Sequence, residues 1–107
     1  EEKFAASVVL ATTRLDVNKR VRKLLGARKV SFASADEARA LTGMELGGVT
    51  PLGLPEELPL WIDSRVMTRD QIILGGGNRH SKIIVDPAIF IYIPSVQIIV
   101  DLALPVS

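Results

Sequence analysis

Two glycine-rich segments are the parts of this chain that can handle a carbonyl or an anion without a charged side chain. The first is Gly47-Gly48-Val49-Thr50-Pro51-Leu52-Gly53, preceded by Thr42-Gly43. Paired glycines let a ligand approach the main chain closely, Pro51 removes an amide donor and stiffens the bend, and Thr50 adds a hydroxyl. A loop of that kind can hold amides in fixed directions, which is what stabilising a developing oxyanion requires. The same composition also suits an Ω-loop with a purely structural task. The second segment is Gly75-Gly76-Gly77-Asn78-Arg79. It reads either as a hairpin turn or as a set of amides left free to bind an anion or a carbonyl oxygen.

Side-chain chemistry of the common kinds is missing. His80 is the one histidine, without a second histidine or a carboxylate at ligand spacing, and it reads as a surface turn residue. No serine sits in the nucleophile-elbow pattern and no P-loop lysine accompanies the glycines, so a nucleotide-phosphate binder ranks low. Cysteine is absent, which excludes a disulfide framework, a thiolate metal site and a cysteine nucleophile. No metal or cofactor is expected. Trp61, flanked by Leu60 and Ile62, reads as packing rather than as a platform for a base. Lys19, Arg20, Arg22 and Lys23, with Arg14, Arg28 and Lys29 nearby, form either a solvated helix face or a patch for nucleic-acid phosphates.

The elements that must position these residues alternate between strand and helix. Phe4 to Leu10 reads as a buried strand. A helix follows, with Asp16 as N-cap, Leu15 as staple, Val17, Val21, Leu24 and Leu25 on its apolar face and Gly26 closing it. Arg28 to Phe32 alternates charged and apolar residues and suits a short strand. Ser34 and Glu37 have capping-box spacing ahead of an Ala-rich helix that stops at Gly43. From Glu45 to Pro59, three prolines and three glycines leave room only for a loop, and Val49, Leu52, Leu54 and Leu58 imply that it is ordered. Leu60 to Asp63, Gln71 to Leu74 and Lys82 to Val85 read as strands. Asp86-Pro87 opens a last short helix to about Tyr92, and Val96 to Val100 closes the pattern as a strand.

The chain has 107 residues, 48% apolar, 23% charged and 5% aromatic, the composition of one small globular domain spanning 1–107 whose core is aliphatic. Its 13 basic and 12 acidic side chains leave a net charge of +1, so contact with a polyanion must come from a local patch. Pro94, Gln97 and Asp101 interrupt the apolar C-terminal stretch, which argues against a membrane span; a cytoplasmic location is the expectation.

The order of motifs resembles one family. Leu15-Asp16-x-x-Lys19, Leu25-Gly26-Ala27-Arg28-Lys29-Val30, Thr42-Gly43, Gly47-Gly48-Val49-Thr50-Pro51-Leu52-Gly53, Ile62-Asp63 and Gly75-Gly76-Gly77-Asn78-Arg79 together look like the YbaK/prolyl-tRNA-synthetase-associated domain, a family of trans-editing aminoacyl-tRNA deacylases. The resemblance implies a mixed α/β fold with a curved, barrel-like sheet flanked by short helices. It implies hydrolysis of the ester that joins a wrong amino acid to a tRNA, the expected substrates being charged forms of tRNA(Pro), with prolyl-tRNA synthetase as a further partner. It places Gly47 and Gly48 at the aminoacyl carbonyl, with Thr42, Gly43, Val49, Thr50, Pro51, Gly53, Asp63 and Gly75, Gly76, Gly77 and Asn78 around the substrate. Lys19, Arg20, Arg22 and Lys23 then become contacts to the tRNA.

The sequence also departs from the family pattern. The family's key lysine lies on a strand upstream of the segment matching Phe4 to Leu10, and these residues do not include it. Gly75 stands where several relatives carry Ser, and Asn78 and His80 stand where the Cys-specific deacylases carry Lys and Gly. Two expectations follow: that the residues belong to a longer polypeptide, and that apolar surface normally covered by the upstream segment is exposed and invites a homodimer. A non-catalytic module for tRNA or a small ligand on the same fold is the competing function.

Overall fold

The computed structural model describes residues 3–44, 48–77 and 81–106. The organising element is β3, Leu60–Asp63, whose four residues are all buried. It is the middle strand of a parallel sheet, with β1 (Ala6–Val8) on one side and β6 (Val96–Ile99) on the other. A strand covered on both faces needs no polar alternation, and Leu-Trp-Ile has none. Its side chains nonetheless divide by period two. Leu60 and Ile62 enter one core with Val66, Leu74 and Phe90, while Trp61 enters a second with Val21 and Leu102. Trp61 is a packing residue, as its neighbours in sequence imply.

The other strands form two small antiparallel pairs. β4 (Ile72–Gly75) and β5 (Lys82–Val85) make a hairpin that joins Ile73 to Ile84 and Leu74 to Ile83. Leu74 faces inward and is buried, whereas Ile73 and Ile84 face outward and are exposed. β2 (Thr13–Leu15) pairs with β7 (Ala103–Pro105), joining segments some ninety positions apart. Among the described residues the strands fall into these three sheets and not into one closed barrel.

Local signals in the sequence act where they stand. Asp16 caps the first helix through the Lys19 amide at 3.3 Å, and Gly26 ends it at φ 65°. The helix opens as a π-type turn, Val17–Val21, with Val21 N donating to Asp16 O, before continuing as α1, Arg22–Leu25. The capping box of α2, Ala35–Thr42, is complete: Glu37 N donates to Ser34 Oγ and Ser34 N donates to Glu37 Oε1. Asp86 caps Pro87–Tyr92, which winds as a 3-10 helix rather than an α-helix.

Two expectations need correction. Arg28 to Phe32 forms no strand, because no strand lies alongside to receive its hydrogen bonds, and Phe32 stands 76% exposed. The first strand is confined to Ala6–Val8, the stretch that β3 can pair, and the chain then turns at Leu10 to Thr13 into β2.

Candidate functional site

The two glycine segments, more than twenty positions apart in the sequence, meet in space. Gly77 N donates to Gly48 O at 2.8 Å. At the end of β4, a Cβ on Gly75 would lie 2.8 Å from Val49 O and 2.9 Å from Gly48 O, so only glycine lets the strand lie directly on the loop's carbonyls. Gly76 is similarly confined: a Cβ there would collide with the Ser81 side chain, and Gly76 N donates to Ser81 O at 3.0 Å. Gly77 adopts φ 100°, a torsion open to glycine and strained for other residues.

The loop's flanks are fixed by short-range bonds. Thr42 Oγ1 donates to Ala38 O at 2.7 Å and accepts from Met44 N at 3.1 Å, while Gly43 closes α2 at φ 74°. Thr42 and Gly43 therefore aim the chain out of the helix, and Met44 Sδ lies 3.8 Å from where a Gly77 Cβ would sit. On the far side Gly48, Thr50 and Pro51 are buried, with Leu52 N reaching Thr50 Oγ1 at 3.5 Å, and Gly53 takes φ 81° in an exposed turn. Val49 is half-buried, and its amide donates to no described residue. Gly47, Asn78 and His80 lie outside the described residues.

Asp63 has a different setting. It is fully buried at the end of β3, and its two carboxylate oxygens each lie 3.4 Å from Arg65 Nη1. The same Nη1 donates to Ala103 O at 2.7 Å, and Nη2 donates to Asp101 Oδ1 at 3.1 Å. Asp101 itself sits at φ 57°, a conformation that a non-glycine residue holds at some cost. The hydrogen bond to Asp101 foremost, with Asp63 adding to it against desolvation, raises the Arg65 pKa above its already high ordinary value. Arg65 and Asp101 were invisible as partners in the sequence because they lie 36 positions apart and meet only where β3 runs beside β6, with Asp63 opposite Ile99. Through Arg65, the buried end of the central strand is tied to Ala103 and Asp101.

Of the basic residues singled out, Lys19, Arg22 and Lys23 are exposed on the first helix, and Arg20 is half-buried beside the buried Val21. No group of three His, Asp or Glu side chains among the described residues is placed to hold a metal ion. No helix there is long and apolar enough to cross a membrane.

A family model described as Aminoacyl-tRNA editing domain matches residues 1–91. The chain belongs to that family. The editing domain is 44% identical over 61 residues to a proline--tRNA ligase of Bacillus licheniformis, a match covering 54% of this chain and 11% of that one. It is 27% identical over 81 residues to EbsC of Enterococcus faecalis, which carries the name Cys-tRNA(Pro)/Cys-tRNA(Cys) deacylase, covering 76% of this chain and 49% of that one. A crystal structure described as a trans-editing enzyme for prolyl tRNA synthetase superposes with a TM-score of 0.77 at 26% identity, covering 94% of this chain and 61% of its own. The hypothetical protein APE2540 gives a TM-score of 0.76 at 28% identity, covering 91% of this chain and 63% of its own. The editing domain thus spans half or less of the length of these curated relatives.

Proposed function

We propose that the protein is an aminoacyl-tRNA deacylase, hydrolysing the ester between a wrongly attached amino acid and its tRNA, with tRNA(Pro) as the tRNA served and prolyl-tRNA synthetase as the enzyme whose errors it corrects. The observation that carries the reading is the glycine junction, in which Gly75 rests on the carbonyls of Gly48 and Val49 and Gly77 locks to Gly48. Family membership and the names of the relatives support the substrate class.

Ester hydrolysis at such a site uses main-chain dipoles and no protein nucleophile. Water adds to the acyl carbon, the carbonyl oxygen becomes an oxyanion, and the tetrahedral species collapses with release of the ribose hydroxyl, which takes up a proton. Amides fixed before the reaction stabilise the oxyanion without reorganising, and one such donor is worth on the order of 10²–10³ in rate. In this reading Gly47 and Gly48 border the carbonyl, and the Val49 amide, which has no partner among the described residues, is an available donor. Thr50, Pro51 and the Gly75–Gly77 run form walls that keep the loop from relaxing, and the family resemblance assigns Asn78 to the substrate as well.

The test is a deacylation assay on a panel of tRNA(Pro) carrying different amino acids. Release of a mismatched amino acid well above the protein-free rate, with correctly charged Pro-tRNA(Pro) spared, is the expected outcome. A panel in which every species decays at the protein-free rate overturns the reading.

A further inference from the structure

The segment from Arg28 to Ala33 leaves its main chain unanswered. It lies between Gly26, which ends the first helix, and Ser34, which caps α2 in an extended conformation at ψ 165°. From Lys29 onward it has neither turn nor bend, and none of its residues takes a positive φ. On either side the main chain is bonded: Ala27 N donates to Arg22 O, and Ser34 N donates to Glu37 Oε1. Between them no amide and no carbonyl has a hydrogen-bond partner among the described residues. Main chain that carries a strand's alternation and an open row of donors and acceptors is a sheet edge without its neighbour.

The surroundings define the neighbour that fits. A single cavity of about 700 Å³ has Val30, Ser31 and Phe32 in its walls together with Leu104, Pro105 and Val106. Phe32 is 76% exposed, Val106 58% and Leu104 45%, so apolar surface accompanies the open main chain. Charge narrows the choice. Arg14 stands in the same walls, Arg28 and Lys29 are exposed at the head of the segment, and none of the three forms an ion pair among the described residues. Asp16, the acid in those walls, already accepts from the Lys19 amide at 3.3 Å. A second copy of the segment would bring two Arg28-Lys29 pairs into one small sheet, where like charges destabilise strand pairing. Nucleic-acid phosphates would answer the cations but not the edge, since they accept hydrogen bonds and donate none, leaving the carbonyls unmet. A peptide strand with acidic side chains meets both needs: its backbone donates and accepts in turn, and its carboxylates reach the guanidinium and ammonium groups.

We propose that Arg28 to Ala33 is a docking edge for an extended, acidic segment of a partner protein, which adds beside it as a β-strand and lays apolar side chains against Phe32, Leu104 and Val106. The edge uses none of the residues of the glycine junction and does not depend on the deacylase reading. The probe is a fluorescently labelled peptide alternating Glu with Val, followed by anisotropy. It binds, the binding weakens with salt, and the same peptide with Lys in place of Glu does not bind. Neighbouring residues of a strand turn their N–H groups to opposite edges, so one of Ser31→Pro and Phe32→Pro deletes a donor that the added strand needs. That variant weakens binding about tenfold, the cost of stranding an acceptor. Neither proline removes a hydrogen bond made within the fold, and a thermal melt of each serves as the folding control. Peptides N-methylated at every second residue, in the two possible phases, test the same bonds from the other side: one phase binds and the other does not. By hydrogen exchange, the Ser31 and Phe32 amides are unprotected in the free protein, and one of them slows about tenfold when the peptide saturates. Equal binding of the Glu and Lys peptides, or of both N-methylated phases, overturns the proposal. So does protection of both amides in the free protein, which would mean that a second copy or another stretch of polypeptide already covers the edge. Failure of the Glu peptide to bind, with an RNA hexanucleotide held equally by wild type and both proline variants, overturns it in favour of nucleic acid.

Discussion

The glycine junction and the surface around Phe32 are made of opposite materials. At the junction, backbone lies on backbone: the end of β4 touches the carbonyls of Gly48 and Val49 with no side chain between them. On the basic surface around Phe32, long side chains and one aromatic ring reach out to solvent. The first is governed by distance, where a single methyl group is too much. The second is governed by charge and exposed area, which change by increments and are screened by salt. A fold can therefore lose one at a stroke and the other only piecemeal.

That contrast is open to breaking. The largest effect is expected from Gly75→Ala, whose new Cβ would meet carbonyl oxygens at 2.8 and 2.9 Å that belong to main chain and cannot swing aside. Overpacking of this kind costs about 1–3 kcal/mol, read from the urea midpoint, and deacylation should fall with it. An unchanged midpoint would mean that the two segments are free to separate. Gly26→Ala is the sharper control, because nothing lies within 4 Å of its Cβ position and only the left-handed torsion at φ 65° is strained. Its cost should be about 1 kcal/mol, with tRNA deacylation retained. The smallest effect on stability belongs to the basic surface: Phe32→Ala should move the urea midpoint by no more than about 0.5 kcal/mol, because the ring touches solvent over most of its surface. A larger loss would make Phe32 a packing residue.

What was legible in the sequence was whatever is decided within a few residues. The Ser34 and Glu37 capping box, the stops at Gly26 and Gly43 and the extent of Lys82–Val85 all depend on local bonding, and all appear in the fold at those positions. Pairings across the chain were not legible. Thr13–Leu15 and Ala103–Pro105 are three residues each and become strands only because they meet, so neither carries a periodic signal of its own. Arg28 to Phe32 shows the converse: it has the alternation of a strand and lacks the neighbour that would make it one. The candidate site divides in the same way. Both glycine segments could be singled out from composition, but that Gly75 needs to be small because of Gly48 and Val49 could not. Asp63 entered as a site residue only through the family resemblance, while its partner Arg65 and the reach of that guanidinium to Ala103 depended on the tertiary fold.

The family match ends at residue 91, yet the chain beyond it is woven into the interior: β6 flanks β3, and Leu102 and Ala103 are wholly covered. An engineer who trimmed the polypeptide at the boundary of the recognised domain would unzip one margin of the central sheet and leave the Arg65 guanidinium without its anchor on Ala103. Such a clipped product should be prone to clumping through the newly bared strand edge. The unit that folds is longer than the unit by which the family is recognised.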